Sequence, residues 1–136
     1  MRRATWRRAD RGSMSVYVAV LAVPFLMIAG LVVDGGGALV AKQRAADEAG
    51  QAARAGANQL DLASVRSSSG ARKIDPVLAT KAIADYFALP GNSGSYRPQV
   101  SPDRVTVTVN LTYAPIVLPF LGRTYTATAT AVPISK

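Results

Sequence analysis

An uncharged, mostly apolar run of 22 residues, from Gly12 to Val33, is the first pattern in the chain. At about 1.5 Å of rise per residue, a helix of this length covers about 33 Å, and the hydrocarbon core of a bilayer is roughly 30 Å thick. Pro24 lies inside the run, where a membrane helix tolerates proline better than a soluble helix does. The pattern therefore predicts a transmembrane helix over residues 13–33.

A second helical pattern follows the apolar run. Between the two, Asp34 precedes three consecutive glycines, Gly35 to Gly37. Each glycine costs about 1 kcal/mol in a helix relative to alanine, so we expect a hinge or a frayed turn there, at the outer membrane surface. From residue 38 to about residue 62 apolar side chains return at three- and four-residue steps, which is typical of an amphipathic helix. The members of this stripe are Leu39, Ala45 or Ala46, Ala49, Ala53, Ala57 and Leu60.

Alanine dominates the apolar stripe of this second pattern. Each alanine buries little area, so the helix should depend on neighbouring elements for its stability. Small side chains also allow a partner to come close. Two interpretations stay open at this point: the stripe packs on the rest of its own domain, or it packs against identical subunits.

A loop and a short helix are predicted next. Residues 62–73 form a polar, serine-rich stretch with the composition of a loop. Asp75 then offers an N-cap, and Pro76 suits the first position of a helix. Apolar residues keep helical spacing from there until Pro90, where a helix has to stop. We predict a short amphipathic helix of about three turns.

The last third of the chain changes to a period of two. Apolar and polar residues alternate over 104–113 and again over 124–131, and threonine is frequent on the polar side. Alternation with β-branched enrichment predicts strands with one buried face, and a weaker strand is predicted around 96–100. The whole chain is thus predicted to be an α+β protein with a small antiparallel sheet of about three strands. We divide it into a basic head at 1–12, a transmembrane helix at 13–33 and an exported α+β domain at 34–136.

An apolar connection lies between the two strong strands. Residues 114–123 read APIVLPFLGR, and their prolines argue against a central strand. An exposed apolar cluster is costly in water, so this connection folds back on the domain, touches the membrane or meets another subunit. We take five of its residues as a candidate interface: Ile116, Val117, Leu118, Phe120 and Leu121.

Charge predicts the orientation of the span. The head carries five arginines, Arg2, Arg3, Arg7, Arg8 and Arg11, against the single acid Asp10. Basic residues are retained on the cytoplasmic side of a membrane, so the head should stay inside and the C-terminal domain should cross. A cleaved secretory signal is the main alternative. Such signals have apolar cores of about 7–15 residues and an Ala-x-Ala-like cleavage site, neither of which fits this run, so we expect the span to be retained.

Composition excludes several classes of chemistry. The net charge is +8, but half of that excess lies in the head, and no basic run with interleaved aromatic residues suggests a nucleic-acid groove. Attraction to anionic lipid is the simpler role of the arginines. The chain has neither cysteine nor histidine, which excludes disulfides, thiol nucleophiles, histidine bases and nearly all zinc sites. We predict no catalytic, cofactor-binding or metal-binding residue, no small-molecule substrate and no enzymatic activity.

Short motifs follow one another in a characteristic order. The apolar run begins within Arg11-Gly12-Ser13 and ends within AGLVVDGG at 29–36. The next predicted helix contains RAAD at 44–47 and AARAGA at 52–57. The last predicted strand is preceded by LPFLG at 118–122. Together they resemble the TadE/TadG-like group of pilin-like proteins of the Tad (Flp) pilus-assembly system. The resemblance implies a non-enzymatic assembly component whose partners are membrane lipid and other pilus-assembly or pilin-like subunits.

The resemblance also implies a candidate processing site. Pilins and pseudopilins are typically cut by a prepilin peptidase after a glycine, which points to Gly12 and Ser13. Most of them carry a glutamate as the fifth residue of the mature chain, and here Tyr17 occupies that position. Cleavage after Gly12 and an uncleaved anchor therefore stay open as alternatives, as does a secreted effector or binding domain released by cleavage of the span.

Overall fold

The computed structural model describes residues 10–66 and 72–134, without the side chains of residues 10–13 and of Leu121. Within those ranges a long helix is followed by two shorter helices and a three-stranded sheet, which confirms the predicted α+β class. The elements are α1 (Asp10–Ala57), α2 (Leu62–Arg66), α3 (Pro76–Phe87), β1 (Ser95–Val100), β2 (Val105–Tyr113), a 3-10 turn (Pro119–Leu121) and β3 (Arg123–Ala131).

Helix α1 is continuous over 48 residues and passes through Pro24 and all three consecutive glycines. The expected hinge at Gly35 to Gly37 is therefore wrong. Glycine lowers helix propensity by about 1 kcal/mol per residue, but contacts with the rest of a protein routinely override that preference. Here such contacts flank the glycines, since the carboxylate of Asp34 binds the chain after β2 and the ring of Tyr113 lies against Gly37.

The two halves of α1 have opposite surroundings. Every residue from Met14 to Val33 is exposed except Gly30, although the segment is almost entirely apolar. Of the described residues, only α1 forms a helix that is long and apolar enough to cross a membrane. The second half packs on the domain through small side chains, all of them buried: Ala41, Ala45, Ala49, Ala52, Ala53 and Ala57. The alanines of the predicted stripe are therefore covered by their own domain, the first of the two interpretations above, whereas Leu39 is 65% exposed and Leu60 lies beyond the end of α1.

Helix α1 approaches its neighbours closely at Gly56. A Cβ atom at this position would stand 3.0 Å from Cδ1 of Ile83 in α3 and 3.2 Å from Cγ1 of Val105 in β2. All three residues are buried, and Ile83 and Val105 belong to the hydrophobic core. The small residues of α1 thus let a helix and a sheet meet across a thin core.

The sheet is antiparallel, and its strands lie in the order β1-β2-β3. One face of β2 presents Val105, Val107 and Val109 to the core, and all three are fully buried. The opposite face carries a ladder of threonines from β2 and β3, in which the hydroxyl of Thr106 lies 2.9 Å from that of Thr130. Cross-strand threonine pairs of this kind stabilise a sheet. The period-two prediction for these strands is confirmed.

The region between α1 and β1 differs from the prediction in one place. Residues 62–66, expected to be part of a loop, form the single-turn helix α2, because the carboxylate of Asp61 accepts hydrogen bonds from the backbone N–H groups of Ala63 and Ser64 at 3.1 and 3.2 Å. The predicted N-cap of α3 is confirmed. There Oδ1 of Asp75 accepts hydrogen bonds from the N–H groups that follow Pro76.

Candidate functional site: a carboxylate that binds the β2–β3 connection

The site lies where the apolar half of α1 ends. Asp34 is the first charged residue after the apolar run, and only 4% of its surface is exposed. Its carboxylate accepts hydrogen bonds from three consecutive backbone N–H groups in the connection between β2 and β3. Oδ1 accepts from Ile116 at 2.9 Å, Oδ2 accepts from Leu118 at 2.7 Å, and the N–H group of Val117 is shared between both oxygens at 3.3 and 3.2 Å.

The local sequence explains why the connection can bind a carboxylate. Residues 116–118 lie between β2 and β3, so their N–H groups take no part in the sheet. Successive N–H groups in a turn form a concave site for an anion, and an ionised carboxylate offers only acceptors. Pro115 and Pro119 border these three residues and have no N–H group of their own. The three N–H donors of the connection therefore match the acceptor oxygens of Asp34.

Two glycines make room for the connection on α1. A Cβ atom at Gly30 would stand 2.5 Å from Cγ1 of Val117, and one at Gly37 would overlap the ring of Tyr113. The adjacent Gly35 and Gly36 have nothing within 4 Å of such a Cβ atom. Thus Gly30 and Gly37 are needed for packing, while the two between them are not.

Two large apolar side chains of the connection remain exposed. Ile116 is 82% exposed and Phe120 is 76% exposed, although the backbone between them is held to α1. A cleft of about 230 Å³ lies beside the connection, between α1 and the adjoining ends of β2 and β3, and its lining includes Leu31, Asp34, Tyr113, Arg123 and Tyr125. The connection therefore folds back on α1 and still presents two large apolar side chains outward.

The predicted site residues fall in three groups. The arginines at positions 2, 3, 7 and 8 lie outside the described residues. Arg11, Gly12 and Ser13 lie in the first turns of α1, where the structure describes the backbone only. The five residues of the candidate interface all lie in the connection that Asp34 binds. The interaction partner of that connection, Asp34, was not among the predicted site residues, and only its position at the end of the apolar run could have singled it out.

A comparison with known families decides which group the chain resembles. Residues 12–59 match the family model of the putative Flp pilus-assembly TadE/G-like proteins. The N-terminal segment of this chain is TadE/G-like. The resemblance predicted from the sequence is thereby confirmed for this segment. No curated protein and no solved structure matches the chain.

The TadE/G-like segment covers almost the whole of α1 and about a third of the chain. It includes the apolar half, the alanine stripe and Asp34, but neither the sheet nor the connection. The two sides of the carboxylate interaction thus come from different parts of the chain: the acceptor from the TadE/G-like helix, and the three donors from the domain beyond it.

The TadE/G-like helix contains a second buried carboxylate, Glu48. It is 7% exposed, and its Oε2 atom has no hydrogen-bond partner among the described residues. Gly94 leaves room for this oxygen, which lies 2.9 Å from where a Cβ atom would stand. Burial raises the pKa of the nearby Tyr86, and the carboxylates of Glu48 and Asp47 raise it further. An unpaired buried oxygen lowers the stability of the folded domain.

Proposed function

We propose that this protein is a single-span, membrane-anchored, pilin-like component of Flp pilus assembly or a related secretion machinery. Its α+β domain is held outside the cytoplasm, and it acts by packing with other subunits rather than by catalysis. The observation that carries the proposal is the contrast within α1. Its N-terminal half is apolar and exposed, while its C-terminal half packs on its own domain.

The exposed apolar half of α1 requires an apolar environment. Its exposed side chains include Leu21, Phe25, Leu26, Ile28 and Leu31, each more than half exposed. Burying one such side chain contributes about 1.5–3 kcal/mol, so leaving a whole helix of them in water is strongly unfavourable. A bilayer or the apolar helices of neighbouring subunits can cover this surface. Except at Pro24, which has no N–H group, an α-helix satisfies its backbone hydrogen bonds within itself, as a segment in hydrocarbon must.

The orientation follows from the charges at the two ends of the span. The arginine-rich head precedes the span, and the only charged residue directly after the span is Asp34. The excess of basic residues on one side favours a cytoplasmic N-terminus and an extracytoplasmic domain.

Labelling of introduced cysteines tests this orientation, because the chain has no cysteine of its own. Ser93→Cys is an exposed position in the domain, and Thr5→Cys lies in the head. We expect a membrane-impermeant maleimide added to intact spheroplasts to label the protein carrying Ser93→Cys. The protein carrying Thr5→Cys should react only after permeabilisation. The reverse pattern would contradict the orientation, and recovery of the protein in the soluble fraction would contradict the anchor.

The alternative function, a domain released by cleavage of the span, is disfavoured by the carboxylate interaction. A mature chain starting between residues 35 and 45 would lack Asp34, so three N–H groups of the connection would lose their acceptor. It would also lose Gly30, against which Val117 packs. A domain with this connection is better suited to remain attached to its helix.

Processing at Gly12 and Ser13 is a separate question that intact-mass measurement answers. The protein should be extracted from the membrane of cells that contain a prepilin peptidase. A chain beginning at Ser13 would support pilin-type processing, and a chain beginning at Met1 would support an uncleaved anchor. Both masses leave the span in place, so this experiment tests processing independently of anchoring.

A further inference from the structure

We infer that the β2–β3 connection is a second membrane contact, in which Ile116 and Phe120 enter the outer leaflet beside the span. The inference rests on the proposed function, since it requires α1 to cross the bilayer with the domain outside. The occupant of this apolar surface is lipid, rather than a second copy of the chain.

The depth of the connection follows from its contacts with α1. Val117 packs against Gly30, and the N–H groups of Ile116 and Leu118 bind Asp34. Gly30 still belongs to the uncharged run that begins at Gly12. With a rise of about 1.5 Å per residue it lies about 27 Å along that run, and the hydrocarbon core is roughly 30 Å thick. The connection is thus at the outer boundary of the hydrocarbon.

The side chains suit this depth. Ile116 is 82% exposed, Phe120 is 76% exposed, and the run from 114 to 122 carries no charge. In water these two side chains would remain hydrated. In the boundary between acyl chains and headgroups, both are covered by the same bilayer that covers the helix beside them.

The backbone of the connection is also prepared for an apolar environment. An unsatisfied N–H group in hydrocarbon costs several kcal/mol, which excludes most irregular backbone from lipid. Here three consecutive N–H groups are satisfied by Asp34, and Pro115 and Pro119 have no N–H group. The interaction with Asp34 therefore has a purpose beyond holding the loop, because it removes donors that lipid cannot satisfy.

The residues just outside the connection are those of a membrane interface. Tyr113, Tyr125 and Arg123 line the cleft beside Asp34, and the ring of Tyr113 lies against Gly37, which follows the span. Tyrosine is enriched at the level of the lipid headgroups, and arginine is attracted to their phosphates. Arg123 makes no ion pair with any described residue, so its charge is free to meet a phosphate.

Tryptophan fluorescence with the full-length protein in lipid nanodiscs tests the inference. Trp6 is the only tryptophan of the chain, so Trp6→Phe provides a background without signal. In that background we compare Phe120→Trp with Val77→Trp, since both native side chains are 76% exposed. Val77 lies at the far end of the domain, where the N–H group of Asp75 binds the carbonyl of Gln59 at 2.9 Å. That end of α1 is about 35 Å from Asp34 by helical rise.

We expect the emission of Phe120→Trp to shift to shorter wavelength and to lose intensity when the lipids carry bromine on their acyl chains. Ile116→Trp, a second exposed position, should behave in the same way. Val77→Trp should emit as in water and should keep its intensity. Water-like emission from both connection variants, without loss in brominated lipid, would overturn the inference.

Two further measurements separate this inference from its alternatives. Leu26→Trp, in the middle of the span, reports on the anchor alone, so quenching there without quenching at position 120 refutes only the membrane contact of the connection. Absence of quenching at Leu26→Trp would refute the anchor itself. A blue shift of Phe120→Trp that brominated lipid does not quench, and that disappears when each nanodisc holds one chain, would assign the surface to a second copy and overturn the inference.

Discussion

Replacing Asp34 by alanine should release the β2–β3 connection from α1. The substitution removes the acceptor of three backbone N–H groups, those of Ile116, Val117 and Leu118. A hydrogen bond to a charged group contributes a net of about 1.5–3 kcal/mol, and its loss leaves a buried donor unsatisfied. Since about 1.4 kcal/mol corresponds to a factor of ten, losing one such bond accelerates opening about 10- to 100-fold. The three bonds share one carboxylate and are not additive, so we expect acceleration on the order of 100-fold.

Amide hydrogen exchange in nanodiscs measures this opening directly, because it reports local unfolding segment by segment. We expect faster exchange in the peptides that cover residues 114–121, with no change in β2. Asp103→Ala is the matched control, since this exposed aspartate forms its ion pair with Arg104, at the turn before β2 and away from the connection. Asp34→Asn keeps the size of the side chain but replaces one acceptor oxygen by a donor, so it should also accelerate exchange.

Unchanged exchange at residues 116–118 in both Asp34 variants would refute the reasoning, because it would mean that the carboxylate does not hold the connection. Equal acceleration throughout the sheet would also contradict it. That result would indicate global destabilisation of the domain rather than local release.

Four other substitutions test the packing between α1 and the domain in the purified protein by thermal unfolding. Gly35→Ala should raise the free energy of unfolding by about 1 kcal/mol, because the added methyl group has open space and alanine favours a helix. Gly37→Ala should lower the free energy of unfolding, because the added methyl group meets the ring of Tyr113. Glu48→Met should raise it by about 1–3 kcal/mol, since it removes a buried oxygen without a partner. Tyr86→Phe should remove a loss of stability above pH 10: the pKa of this tyrosine is raised above 10.0 by folding, so its stabilising effect is complete below pH 10 and disappears as the pH rises through the folded value.

Each of these expectations has a contrary result. Similar effects of Gly35→Ala and Gly37→Ala would mean that the close approach of Tyr113 is unimportant. A less stable Glu48→Met variant would mean that the buried carboxylate contributes favourably to the fold. An alkaline decline in stability that is as steep with Tyr86→Phe as with the native residue would exclude Tyr86 as its source.

Local patterns were sufficient for the elements whose structure depends on neighbouring residues. The N-cap of α3 is a contact between Asp75 and the N–H groups two and three residues later, so the sequence around it was enough. The alternation in β2 similarly predicted which face is buried. The single turn of α2 was missed because its composition is that of a loop, and its order depends on hydrogen bonds such as those that the carboxylate of Asp61 accepts.

Long-range contacts explain where local reasoning failed. Glycine propensity predicted a hinge at Gly35 to Gly37, but Tyr113 and the connection pack against α1 on either side of this point. Propensity is a preference of about 1 kcal/mol per glycine, and tertiary packing exceeds it. The same packing decided that the alanine stripe faces its own domain and not an identical subunit, since a stripe of small side chains fits both equally well.

The sequence by itself determined the apolar run, the basic head, the order of helices and strands and the TadE/G-like character of the first helix, because each depends on residues that are close together in the chain. Only the tertiary structure decided the role of Asp34. Its donors lie 82 to 84 residues further along, and no periodicity or local motif links positions so far apart. A carboxylate that ends an apolar run looks like a simple boundary charge. It becomes a binding site only when the fold brings three unpaired N–H groups to it.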